Sequence, residues 1–195
     1  MNCKAQSISP EEAAGLICSG DSVWVGNSLS VSSPFIAALM QRSHQLKDVT
    51  LIGNGLTRSD DRLLDRRFKD SFKIVSFLSE NGEETALDGS GVPYLPPMNR
   101  EYFDSIFKAF GINTIAVELC PPDSDGCCDP GPLDKDFTLI ISRFPGIERR
   151  IAIIRSDLPA SDPDASLMKI PLKHFDYVCQ GSAEAIDPLG ERMMA

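Results

Sequence analysis

Short β-prone runs alternate with helix-start signals along this chain in units of roughly 25 residues, a pattern that calls for right-handed crossovers between parallel strands. The first helix is signalled by Ser9-Pro10-Glu11-Glu12: Ser9 can cap free amides, Pro10 suits the first helical position, and Glu12 can close a capping box. Ala13, Leu16 and Ile17 form its inward face, and Gly20 supplies a stop. Ser22-Val23-Trp24-Val25-Gly26 then reads as a short buried strand, and Pro34 opens a second helix with Ile36, Leu39 and Met40 inward. The pattern returns at the strand Val49-Thr50-Leu51-Ile52, broken by Gly53-Asn54-Gly55, after which Ser59-Asp60-Asp61 heads a helix running to about Phe68. A third strand is expected at Phe72 to Leu78. The class is α/β, an open, mainly parallel sheet with helices on both faces in a three-layer α/β/α arrangement.

A short helix is expected near Asn81 to Leu87, and the prolines of Gly89-Ser90-Gly91-Val92-Pro93-Tyr94-Leu95-Pro96-Pro97 then impose a shaped loop. Asn99 caps an amphipathic helix carrying Tyr102, Phe103, Ile106, Phe107 and Phe110 on one face, with Gly111 at its end. Thr114-Ile115-Ala116-Val117-Glu118-Leu119 is a strand. Phe137-Thr138-Leu139-Ile140-Ile141 is β-prone, but its place in the alternation calls for a helix, and we read one there. Ile151 to Ile154 and Phe175 to Val178 complete the strands. The division is therefore a domain over 1–180 and, from Gly181 to Ala195, a linker or helix start leading toward a further domain.

A chain of 195 residues, 42% hydrophobic and 24% charged, suits one packed domain. No stretch approaches the roughly 18 to 20 apolar residues that span a bilayer. Met1-Asn2-Cys3-Lys4-Ala5-Gln6 lacks the apolar core of a signal peptide, so a soluble, cytoplasmic protein is expected. A net charge of −9 and a pI near 4.7 disfavour nucleic-acid binding. Six cysteines without a Cys-x-x-Cys pair, and only two histidines, read as reduced thiols rather than disulfides or a metal site.

Several of these segments carry a family likeness: Ser9-Pro10-Glu11-Glu12-Ala13 through Ile17, Ser19-Gly20-Asp21 with Val23 and Val25-Gly26, Pro34 with Leu39-Met40-Gln41-Arg42, and Gly91-Val92-Pro93-Tyr94-Leu95-Pro96. The most specific is Val117-Glu118-Leu119-Cys120-Pro121-Pro122-Asp123-Ser124-Asp125-Gly126, followed by Gly131 and the closing Asp176-Tyr177-Val178. Here two prolines end sheet pairing, Asp123 can fold back on backbone amides, and Gly126 permits a left-handed turn. In order and spacing the chain resembles the amino-terminal domain of the acetyl-CoA hydrolase/transferase family, which includes 4-hydroxybutyrate and butyrate:acetate CoA-transferases.

The resemblance implies a glutamate nucleophile that opens an acyl-CoA thioester and carries CoA to a second carboxylic acid through a glutamyl-CoA intermediate. In such proteins that glutamate lies in a carboxyl-terminal domain, and no segment here resembles it, so no catalytic residue is assigned to this chain. Coenzyme A is implied as a substrate, with no tightly bound cofactor. The implied partners are a carboxyl-terminal CoA-transferase domain or subunit, a small carboxylate and an acyl-CoA, and the complete protein would be a homo-oligomer. This half would line the pocket with loops at the carboxyl ends of its strands, where ligands of open α/β sheets bind. Gly26 to Ser33 and Gly53 to Thr57 are the candidate loops, and the substrate-binding residues assigned are Gly26, Asn27, Ser28, Gly53, Asn54, Gly55, Pro93 and Tyr94. Amides and hydroxyls near helix amino termini suit a carboxylate or thioester oxygen. The same residues also serve as the tight β-α connections that any parallel sheet needs.

Other residues read more plainly: Glu118 as a surface or rim acid, Cys127-Cys128 as packed or exposed, His44 and His174 as ordinary positions, and Phe103, Phe107 and Phe110 as core. Two departures from the family pattern stand out. Ile153 and Arg155 occupy places usually held by an acid and an asparagine, which alters the polarity of the pocket. The hydroxyl-rich Ser28 to Ser33 loop replaces a connection richer in glycine and alanine, which leaves substrate choice open. Two other readings of the chain remain: a non-catalytic module on the same sugar-isomerase-like scaffold that binds a small acid or phosphate, and an inactive truncated remnant.

Overall fold

The computed structural model describes residues 5–27, 33–54, 66–77, 94–95, 103–130, 144–158 and 169–181. The elements follow the chain as β1 (Gln6–Ile8), α1 (Pro10–Gly15), β2 (Ser22–Asn27), α2 (Pro34–Gln41), β3 (Val49–Asn54), β4 (Phe72–Phe77), β5 (Tyr94–Leu95), α3 (Phe103–Ala109), β6 (Thr114–Leu119), β7 (Cys127–Cys128), β8 (Arg149–Arg155), β9 (Ile170–Pro171) and β10 (Tyr177–Gly181). Among the described residues eight strands form one sheet in the order β1-β10-β8-β6-β2-β3-β4-β5, every neighbouring pair parallel. β7 and β9 form a separate antiparallel pair.

Both faces of the sheet are covered, and the alternation of each strand shows it. Val23, Val25, Leu51, Ala116, Ile151 and Ile153 point into one core, packed with Ala13 and Ile17 at α1 and Phe35, Ile36 and Leu39 of α2. Trp24, Ile52, Ile115, Val117, Ala152 and Ile154 point into the other, against Phe107 of α3. The Trp24 and Phe107 ring centroids are 5.5 Å apart, and those of Phe107 and Phe144 are 4.8 Å apart.

The capping box at Ser9 forms as the sequence suggests: Ser9 Oγ accepts from the Glu12 amide at 3.1 Å, and the Glu12 carboxylate accepts from the Ser9 amide at 2.7 Å. The other end of α1 is held by guanidinium groups. Arg42 donates to the carbonyls of Ala14 and Ile17, and Arg149 donates to that of Leu16. Arg149 also pairs with Asp21 at 2.9 Å, and Asn113 donates to the same carboxylate at 2.7 Å, which ties the amino ends of the central strands to the helix. After β6, Asp123 Oδ1 accepts from the amides of Asp125 and Cys127 at 3.0 and 2.9 Å, and Gly126 takes φ +72°, so the turn expected of the Pro-Pro-Asp segment is present. Lys169 closes on Asp123 Oδ2 at 2.6 Å beside the β7–β9 pair.

Several boundaries differ from the sequence reading. β1 is an addition to it: Gln6 to Ile8 are mostly exposed and too short to show a period, and only pairing with β10 makes them a strand. Gly53 and Asn54 do not break β3 but continue it, held by parallel register to Ser76 and Phe77. Tyr94 and Leu95 leave the expected loop to pair with the same two residues of β4. Pro145 and Gly146 form a turn ahead of β8, which starts at Arg149, and the last strand begins at Tyr177 and runs on to Gly181. The helices expected near Ser59 to Asp65 and Asn81 to Leu87, the cap at Asn99, Tyr102, the segment Phe137 to Ile141 and the linker beyond Gly181 lie outside the described residues, while Arg66 to Phe68 form a single 3-10 turn.

Candidate functional site

A parallel sheet places all its strand ends on two opposite edges, and the loops of the carboxyl edge share one rim. Of the residues assigned to binding, Gly26 and Asn27 end β2, and Gly53 and Asn54 end the neighbouring β3, with Asn27 opposite Asn54. Tyr94 sits two strands further out, across β4: Gly53 pairs with Ser76, and Ser76 with Tyr94. The sheet therefore brings these five to one edge. Ser28, Gly55 and Pro93 lie outside the described residues.

On the α1/α2 face the aliphatic rows stop at this edge and polar groups take over. Glu118 is the penultimate residue of β6, two beyond the buried Ala116, and Arg155 ends β8, two beyond the buried Ile153. The two strands are neighbours, and Arg155 Nη1 donates to Glu118 Oε1 at 3.1 Å. Their side chains are only 7% and 8% exposed, so the pair is held away from solvent. Asp157, in the turn after β8, takes the other side of the same guanidinium: Nε donates to its Oδ1 at 2.9 Å, and Nη2 donates to its Oδ2. This is the fork-on-fork geometry in which a guanidinium binds a carboxylate. Ser33, the N-cap residue of α2, and Ser76 are both fully buried, and the Ser76 hydroxyl is without a hydrogen-bond partner among the described residues. The Ser33 hydroxyl lies near enough to Glu118 to favour its ionised form.

Electrostatics divides the three charged groups. Burial raises the pKa of Glu118, with Arg155 opposing the shift. The hydrogen bonds from Arg155 hold Asp157 below the usual carboxylate range, and the bond to Asp157 in turn keeps Arg155 protonated. Chemically, the cluster is a buried cation sharing two carboxylates, one fixed on a central strand and one on a turn.

Glu118 is thus not a surface or rim acid: β6 is central in the sheet, and its position on the covered face forces the carboxylate inward, where Arg155 offsets the cost of burial. The sequence did carry a signal. Charged residues at the ends of two apolar runs, both on the parity of the buried aliphatics, mark an inward-facing ion pair, and Arg155 is conspicuous as a departure from the family pattern. Asp157 carries no such mark. His44 is exposed in the 3-10 turn after α2, with Nδ1 3.1 Å from the Gln41 carbonyl oxygen. Among the described residues Cys18, Cys120, Cys127, Cys128 and Cys179 form no disulfide with one another, and no group of His, Cys, Asp and Glu is arranged to hold a metal ion. No described helix is long and apolar enough to cross a membrane.

Together these features define an open parallel α/β protein with a charged cluster at the carboxyl edge of its sheet, and comparison with solved structures gives it a CoA-transferase-like fold. RipA from Yersinia pestis superposes with a TM-score of 0.68 over 93% of this chain and 43% of its own, at 19% identity. The 4-hydroxybutyrate CoA-transferase of Porphyromonas gingivalis superposes with a TM-score of 0.55 over 93% of this chain and 40% of its own, at 12% identity. A cysteine-to-serine variant of the decarboxylase AibA/AibB gives 0.54 over 94% of this chain and 85% of its own, at 14% identity. The chain thus spans less than half the length of the first two. No family model matches it, and no curated protein matches its sequence.

Proposed function

We propose that this chain is the amino-terminal half of a CoA-transferase or acetyl-CoA hydrolase, acting on acetyl- or butyryl-CoA and a small carboxylate acceptor. The observation that carries the reading is the match of nearly the whole chain to well under half of a 4-hydroxybutyrate CoA-transferase. In the proposed reaction a glutamate supplied by a carboxyl-terminal half attacks the thioester carbonyl and expels the CoA thiolate, giving an acyl-glutamyl anhydride. The thiolate then attacks the glutamyl carbonyl, releasing the acyl group as a carboxylate and leaving glutamyl-CoA. The acceptor carboxylate repeats the sequence in reverse, or water takes its place in the hydrolase.

In this scheme the present chain binds and orients. The ends of β2 and β3 offer backbone amides to the carboxylate or thioester oxygen, and the polar edge beside them fixes the acidic partner. Glu118 is no candidate for the nucleophile, because its carboxylate is buried and tied to Arg155. The working protein is a complex of this chain with its carboxyl-terminal domain or subunit, homo-oligomeric when complete, with CoA as substrate and no resident cofactor. The test is to mix the chain with a carboxyl-terminal half bearing the glutamate and to follow CoA transfer from acetyl-CoA to butyrate. Complex formation with turnover is expected, and the loss of turnover on replacing that glutamate by alanine. Absence of both complex and turnover rejects the proposal.

A further inference from the structure

Among the described residues the guanidinium of Arg155 meets two carboxylates, in two different ways. Toward β6 it makes a single 3.1 Å contact with Glu118, a residue fixed by the sheet. Toward the turn it makes the paired contact with both oxygens of Asp157. The paired contact is the one a free carboxylate ligand makes with arginine, because two parallel N–H donors match two carboxylate oxygens. Asp157 is also the accessible member: its side chain is 35% exposed, against 7% for Arg155. It lies two residues past the end of β8, where rotation of its own side chain would vacate the guanidinium edge without moving a strand.

Charge decides what can enter. One guanidinium already faces two carboxylates, and a third anion added to them would be repelled. Exchange of the Asp157 carboxylate for that of a ligand leaves the balance unchanged, while Asp157 moves into water, where a free carboxylate is well solvated. Uncharged ligands, or an anion without two oxygens in one plane, gain nothing from the exchange. Gly181 of the adjacent β10 keeps the opposite flank of Arg155 clear, since a β-carbon there would stand 2.7 Å from its Cγ. The arginine is therefore braced on one side by β10, anchored on the other by Glu118, and presents its fork to the turn.

We propose that Arg155 is a carboxylate-binding residue at this edge and that Asp157 is its resident stand-in, displaced when a small monocarboxylate binds. The inference rests on the functional reading above, in which the carboxyl ends of the strands receive a small acid, and names the group that holds it.

The experiment titrates the 195-residue chain with butyrate and follows the arginine Nε–H resonances by nuclear magnetic resonance. The Arg155 resonance is expected to shift saturably. Asp157→Asn, which keeps the size of the side chain and removes its charge, should lower the half-saturating butyrate concentration on the order of tenfold, the equivalent of losing one charge-assisted competitor. Arg155→Lys should weaken binding by about as much, because an ammonium cannot make the paired contact. Should the lysine variant fail to fold, Asp157→Asn and the Arg155 resonance decide alone. The proposal is overturned if Asp157→Asn binds butyrate no better than the native chain, if the Arg155 resonance stays still at saturation, if neither protein binds, or if inorganic phosphate binds more tightly than butyrate. CoA transfer in the reconstituted complex without an effect of Asp157→Asn would sink this inference and keep the function. Tighter butyrate binding without any transfer would do the reverse.

Discussion

Gly181 faces Arg155 across the parallel register of β10 and β8, and an added β-carbon at Gly181 would stand 2.7 Å from Arg155 Cγ and 3.1 Å from the Ile154 carbonyl oxygen. The glycine is the space into which the stem of the arginine folds. Gly181→Ala is therefore expected to destabilise the chain by about 1–3 kcal/mol through overpacking, measured by urea denaturation. A loss within error of zero would show that the arginine stem yields freely.

Glu118 gives a pH signature of definite sign. Its pKa is raised above 4.5 in the folded chain, chiefly by burial, so the folded state holds the proton more tightly than the unfolded one. Stability contributed by the protonated form is then present below that value and is lost as pH rises through the window up to the raised one. Glu118→Gln cannot titrate. Relative to the native chain it should gain stability as pH rises above the usual carboxylate range, since the opposing carboxylates Asp48, Asp123 and Asp157 are common to both proteins. Parallel stability curves across that range would contradict the assignment.

At the opposite edge, Arg149 joins Asp21 at 2.9 Å, with side chains 17% and 9% exposed, and reaches the Leu16 carbonyl as well. Arg149→Met leaves the buried Asp21 carboxylate without its cation and the Leu16 carbonyl without its donor, and a loss on the order of 3 kcal/mol is expected. Asp21→Asn in the same background should recover part of it. A double variant no more stable than Arg149→Met alone would show that the ion pair is not the source.

The thiols divide by exposure. Cys18 is exposed, whereas burial pushes Cys128 and Cys179 up to about 12. With Cys3 replaced by serine, a thiol-specific dye at mild alkaline pH should label Cys18 in the native chain and reach Cys128 and Cys179 only on unfolding. Labelling of Cys179 at the rate of Cys18 would mean that β10 opens readily.

The sequence made the layered parallel α/β class visible because both of its signals are local: apolar runs of strand length, and start signals such as Ser9-Pro10-Glu11-Glu12 that announce helices before packing is known. The turn at Asp123 and Gly126 was legible for the same reason. β1 and β5 were not, since two or three residues carry no periodicity and become strands only through a neighbour distant in the chain. The candidate edge was legible as a set of strand ends, but the bond between Glu118 and Arg155 spans 37 residues, and a contact of that length is settled by strand order rather than by either residue's surroundings in sequence.

Because β1 and β10 are partners and every strand of the large sheet points the same way, the chain departs from Gly181 on the side of the molecule where Arg155 and the ends of β2 and β3 lie. Under the function proposed above, a carboxyl-terminal half tethered to that point would start its search within reach of that rim, at an effective concentration on the order of millimolar for a short tether. A weak contact between two such bodies would then be enough, since covalent connection replaces most of the affinity that separate subunits must supply for themselves.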